Sequence, residues 1–165
     1  MENRYYHTQE KRTHKLSKPI ISNNVNAWLG QGYYFWVDLE EAHKWGLNSK
    51  RYTGYYEIYL AEIDTSDILD TVFNEEHYTR WVKIIEKTAK AFFIRTGRKP
   101  RIKEINEYLF LKGFQNRISG VLFQDLPTNQ NYLLVEQFYY KKRIQLVVYK
   151  IDIIQSFNFI TEGVC

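Results

Sequence analysis

The sequence predicts an α+β domain built on a largely antiparallel sheet. Three observations carry that expectation. Strand-like segments lie at both ends of the chain and helical ones in the middle, an order typical of α+β domains. Aromatic residues make up 17%, with fourteen Tyr and ten Phe, which suits many half-buried strands. Residues 54–63, GYYEIYLAEI, alternate, with Tyr56, Ile58 and Leu60 on one face and Glu57, Tyr59 and Ala61 on the other.

Taken in order, residues 4–8 (RYYHT) read as a short strand and residues 9–18 as a charged loop. Pro19 to Val25 is apolar and then turn-forming, punctuated by Ser22, Asn23 and Asn24. Gly30 and Gly32 precede an aromatic strand at 33–37. Glycines there permit φ > 0 or close backbone approach. Asp38 and Glu41 have capping-box spacing, so a helix starts there, buries Leu39, Ala42 and Trp45, and stops at Gly46. After the strand at 54–63, SDILDTVF (66–73) reads as a short strand and turn. Residues 75–95 form the longest helix, with Trp81, Ile85, Ala89 and Phe92 as its stripe and Gly97 as its end. A second helix covers 101–112, with Ile102, Ile105 and Leu109 inward and Gly113 closing it. Strands are expected at 118–124, 132–139, 143–150 and 153–159, with DLPTN at 125–129 as a turn. There is no internal repeat or linker, so residues 1–165 read as one domain with a helical insertion around 75–113.

Composition narrows the function classes. Hydrophobic content of 44% and charged content of 25% are those of an ordinary globular protein. The net charge of +4 is mildly basic and does not by itself demand a nucleic acid partner. The one cysteine, Cys165, excludes a disulfide framework and a Cys-rich metal site. No two of His7, His14, His43 and His77 have metal-ligand spacing, so no metal is expected. No signal peptide or membrane-crossing run is visible, and a reducing cytoplasm is the expected compartment.

No nucleophile elbow, phosphate loop or dinucleotide fingerprint occurs. Three scattered features stand out: His7 in the first strand, Tyr34 just after the glycine pair, and Gln145 at the start of RIQLVVY. Each has an ordinary structural reading. A strand histidine is usually a hydrogen-bonded core residue, the rings after Gly32 can be core, and a strand glutamine can face water.

Together these residues resemble ADP-ribosyltransferases of the diphtheria-toxin and poly(ADP-ribose) polymerase type, whose signature is a dispersed His, Tyr and Glu. His7-Thr8 matches the first element, Gly32-Tyr33-Tyr34-Phe35 the second, and Gln145 through Tyr149 the third. Trp45, eleven positions beyond Tyr34, falls where the family carries a second aromatic residue. The resemblance covers the first ~45 and last ~25 residues, a span set by motif and context. Residues 64–117 have no match. The glycine usual after the histidine is absent, and Gln145 stands in place of the catalytic Glu.

The resemblance implies split antiparallel β-sheets with flanking helices, NAD as co-substrate, and transfer of a single ADP-ribose to an RNA, DNA or protein acceptor. It implies His7, Tyr34 and Gln145 as the catalytic set and His7, Thr8, Tyr34 and Trp45 as the NAD-binding set. In that reading Tyr34 and Trp45 stack on the nicotinamide and His7 bonds the adenosine-side ribose. Thr8 offers the backbone groups a glycine usually supplies. Gln145 accepts from the nicotinamide-side ribose, but an amide is no general base, so Glu136 or Asp125 is left to assist. The basic clusters at Lys11-Arg12, Lys50-Arg51, Arg98 to Lys103 and Lys141 to Arg143 are either solvated faces or phosphate contacts, with Tyr139 and Tyr140 beside the last as base-stacking candidates. By analogy the chain suits a bacterial toxin or antiviral phage-defence effector, with an antitoxin or regulator as possible partner and no membrane. A non-catalytic nucleotide- or RNA-binding module, an RNA 2′-phosphotransferase and an NAD glycohydrolase remain the alternatives.

Overall fold

The computed structural model describes residues 3–22, 27, 29–49, 52–125 and 143–165. Its strands are β1 (Arg4–Glu10), β2 (Tyr33–Trp36), β3 (Tyr55–Ile63), β4 (Ile68–Asp70), β5 (Gly120–Asp125), β6 (Arg143–Val148) and β7 (Ile154–Val164). Its helices are α1 (Leu39–Ser49), α2 (Glu75–Thr96) and α3 (Ile102–Leu111). The strands form one sheet in the order β4-β5-β6-β2-β1-β3-β7. Every neighbouring pair is antiparallel except β4–β5. The α+β class expected from the element order is the one observed. The strand expected at 132–139, the turn through 129, Glu136, Tyr139 to Lys142 and Lys50-Arg51 lie outside the described residues.

The sheet has a narrow waist. β1 runs along β3 from Arg4–Glu62 to Glu10–Tyr56, and β2 along β6 from Tyr33–Val148 to Trp36–Gln145. Between β1 and β2 the ladder holds at one position, Tyr6–Trp36. Two halves, β4-β5-β6-β2 and β1-β3-β7, therefore meet at a seam. Directly paired residues share a face, and successive ones alternate. One face carries Tyr5, Phe35, Ala61, Leu122, Leu146 and Val148 in a single apolar cluster. The other is covered in two patches. α1 sets Ala42 against Trp36, Tyr56 and Ile58, and Leu29, Trp81 and Phe114 cover Val121, Phe123 and Val147. The helical segment 75–113 thus covers the β4-β5-β6 end.

Local chemistry explains most element ends. Asn74 caps α2 by accepting from the His77 amide at 3.0 Å. Asp38 Oδ1 accepts from the Glu40 amide at 2.9 Å and starts α1. The expected stop at Gly46 is wrong, because α1 continues to Ser49. Gly46 is buried against the Tyr56 ring, where a Cβ would collide, so its role is close packing. The expected Leu39-Ala42-Trp45 stripe also shifts. A spacing of three drifts around a helix, and the buried positions are Glu41, Ala42 and Gly46. α2 buries nothing fully, its stripe being half-buried, and Ile102 of α3 is exposed while Ile105 and Leu109 are buried. β1 extends to Glu10 and β7 to Val164, further than the alternation indicates.

Candidate functional site

The glycine pair uses both of its available properties. Gly30 has φ 87°, the left-handed region. Gly32 lies so close to β6 that a Cβ would stand 2.6 Å from Val147 Cγ2 and 2.9 Å from the Val148 carbonyl. Two phenols pin this turn: Tyr34 donates to the Gly30 carbonyl at 2.7 Å and Tyr149 to the Leu29 carbonyl at 3.0 Å. Burial pushes both phenols well above the usual tyrosine range, so they remain neutral donors. The Tyr34 ring meets Phe123 edge-on at 6.5 Å. Phe35 and Trp36 are buried core. Tyr34 packs in the Leu29–Phe123 cluster, and Trp45 packs against Trp36 at 5.8 Å.

At the seam, side chains take over from the ladder. His7 Nδ1 lies 2.9 Å from the Tyr34 carbonyl oxygen. A carbonyl only accepts, so Nδ1 carries the proton and Nε2 is the acceptor of the neutral ring. The ring rests against Phe35 at 5.5 Å and Phe157 at 5.8 Å. Thr8, one residue on, points to the other face and donates its hydroxyl to the Ala42 carbonyl at 2.9 Å, tying β1 to α1. His7 therefore shares the face of Phe35, whereas Thr8, Tyr34 and Gln145 share the opposite one.

Gln145 is half-buried, directly across from Trp36 on one side and Phe123 on the other. No hydrogen bond holds its amide to another described residue. The Arg143 guanidinium, on the same face, lies 5.7 Å from the Trp36 ring. Trp45, 39% exposed, closes the far side of Trp36. Trp36 is thus the ring that links Trp45, Arg143 and Gln145. Its signal was available, since it lies two residues from Tyr34 and so on the same strand face.

The His7 face holds a second polar group. Glu57, fully buried, accepts from Lys15 Nζ at 2.6 Å and from the Tyr59 hydroxyl at 2.7 Å. Tyr59 also receives the Leu16 amide at 3.1 Å, and Lys15 lies 3.8 Å from the Phe159 ring centroid. Gln9, paired with Glu57 in register and 5% exposed, has neither amide atom bonded to another described residue. A buried amide without a partner is costly, so this corner is incomplete as a purely structural device. Sequence reading assigned Glu57 to an ordinary strand face and passed over Gln9.

No family model matches the chain, and no curated protein matches it either. Among the described residues no helix is long and apolar enough to cross a membrane.

Proposed function

We propose that the protein is a mono-ADP-ribosyltransferase that cleaves NAD and moves one ADP-ribose to a macromolecular acceptor. One observation supports this reading most. The strands bearing His7, Tyr34 and Gln145 are far apart in sequence yet lie side by side as β1, β2 and β6. The narrow β1–β2 seam agrees with a split sheet.

The residues present suit NAD. A pyridine ring needs an aromatic wall, and Trp45 offers a partly exposed one beside Trp36. Ribose hydroxyls need acceptors, and the Gln145 amide oxygen is one. Arg143 supplies a cation beside Gln145 for a negatively charged group. Tyr34 differs from its expected role: its phenol holds the Gly30 turn, so it acts by fixing β2. Gln145 favours binding and orientation over proton abstraction, which fits transfer of one unit.

The test is incubation of the full chain with labelled NAD and bacterial lysate, with and without nuclease, beside Gln145→Ala. Nuclease-sensitive label lost in the variant supports a nucleic acid acceptor, and protease-sensitive label a protein one. Nicotinamide release without label replaces transfer with hydrolysis. Absence of both label and nicotinamide release overturns the reading.

A further inference from the structure

Residues 80–103 hold nine Lys and Arg and a single acid, Glu86, in a chain whose totals are 23 and 19. Most of this charge lies on α2. Arg80, Lys83, Lys87 and Lys90 recur at spacings of three and four, which sets them on one helical stripe. All four are exposed, while Trp81, Ile85, Thr88 and Phe92 on the opposite side are half-buried against the body of the protein.

Several cations elsewhere are held by acids. Lys11 and Lys15 pair with Glu162, Lys44 with Glu40 and Glu41, Lys103 with Glu107, and Lys150 with Asp67. None of the four on the α2 stripe pairs with a described acid. A solvated helix face usually interleaves acids at i,i+4, and between Arg80 and Lys90 only Glu86 offers one, at the stripe's flank. Glu75 and Glu76 sit before Arg80, at the helix start where the dipole favours them.

We propose that the outer face of α2 is a docking surface for the sugar-phosphate backbone of a nucleic acid. Ten residues of helix span about 15 Å, over which a stacked strand presents roughly four phosphates. The four cations match that line in sign and number. A membrane surface fits less well, because an interfacial helix needs a broad apolar face in the lipid, and on the stripe's side of α2 the exposed residues are cations, while Trp81 packs in the Leu29–Phe123 cluster. No exposed ring lies within the stripe, so recognition is of backbone and not of bases. The inference rests on charge and packing and is independent of the transferase reading, since binding is measured without NAD.

The test is fluorescence anisotropy of the full chain with labelled single-stranded RNA, single-stranded DNA and duplex DNA of about 20 nucleotides, at salt from about 50 to 200 mM. Lys83→Glu/Lys87→Glu should weaken binding at least about tenfold and reduce the single-strand salt slope by about 1.4. Arg4→Glu/Lys18→Glu makes the same charge change at exposed residues elsewhere and should shift affinity by less than about threefold. Neutralising Lys87→Gln/Lys90→Gln should give a smaller loss in the same direction. The proposal is overturned if the unaltered chain binds no oligonucleotide at low salt, or if both charge-reversal variants lose equally. It is also overturned if poly-glutamate displaces the oligonucleotide as well as unlabelled RNA does, or if anionic phosphatidylglycerol vesicles are bound and oligonucleotides are not.

Discussion

On the β2-β6-β5 side of the seam the inward rows are Phe35, Leu146, Val147, Val148, Val121 and Leu122, all hydrocarbon. On the β1-β3 side, rows at similar depth hold His7, Gln9, Glu57 and Tyr59. Apolar burial is non-directional and repays any well-filled arrangement. Buried polar groups repay only the arrangement that satisfies them, and are costly otherwise. One half of the sheet therefore supplies stability. The other fixes a geometry: Lys15 and Leu16 are drawn onto Glu57 and Tyr59, and the His7 ring bridges to β2. The seam where these two chemistries meet is also where the candidate site lies.

That contrast is open to direct attack. Leu146→Ala, at a fully buried position, should destabilise by about 2–5 kcal/mol in urea unfolding. Lys15→Met keeps the aliphatic stem near Phe159 but removes the cation bonded to buried Glu57, and should cost about 1–3 kcal/mol. If the lysine change costs more than the leucine change, stability does not reside in the apolar half. Lys11→Met is the surface control. Lys11 also bonds Glu162, but in the open, so its loss should cost less than about 1 kcal/mol. Equal effects at Lys11 and Lys15 would remove the special status of Glu57.

The polar half still has an apolar back. There Tyr56 is gripped between Gly46 of α1 and Gly163 of β7, and a Cβ at either glycine would overlap its ring. An exposed mid-helix Gly→Ala change ordinarily stabilises by up to about 1 kcal/mol. Here overpacking should reverse the sign, with a net cost of about 1–2 kcal/mol by thermal melting. A rise in melting temperature for Gly46→Ala would show that α1 is not seated on Tyr56.

Gly46 also illustrates what sequence reading reaches. A glycine near the end of a periodic run signals a C-cap and a close contact equally, and only Tyr56, from the next strand, separates the two. Element positions were legible because periodicity, caps and turns are local. Strand order was not, since β2 and β6 are joined by a long stretch of chain and nothing local pairs them. The burial of Glu57 was not legible for the same reason. Alternation places it beside Tyr59 and Ala61, but its cation arrives from a loop 42 residues away. Of the site, His7, Thr8, Tyr34, Trp45 and Gln145 were named individually. Their division between two faces, and the roles of Trp36 and Gln9, follow from the Tyr6–Trp36 register and needed the fold.

The smallest predicted effect lies outside both halves, at the start of α3. Glu104 reaches back to accept from the Arg101 amide at 2.8 Å, and the Arg98 guanidinium grips both its oxygens. The Arg98 hydrogen bonds, then that of the Arg101 amide, lower its pKa from 4.5 to about 2. A carboxylate depressed in the folded state favours folding above its unfolded pKa, and that contribution fades as pH falls through the folded one. The stabilisation of the α3 start should therefore be complete above about pH 4.5 and lost towards pH 2. Carboxyl chemical shifts of Glu104 across that range read this directly. In Arg98→Gln the midpoint should move up towards 4.5, stopping short because the Arg101 amide still donates. Acid unfolding of the sheet should not follow it, because Glu104 touches neither half. A shift of Glu104 that carried the sheet with it would make α3 part of the same cooperative unit, and the two-halves description would have to include the helical segment.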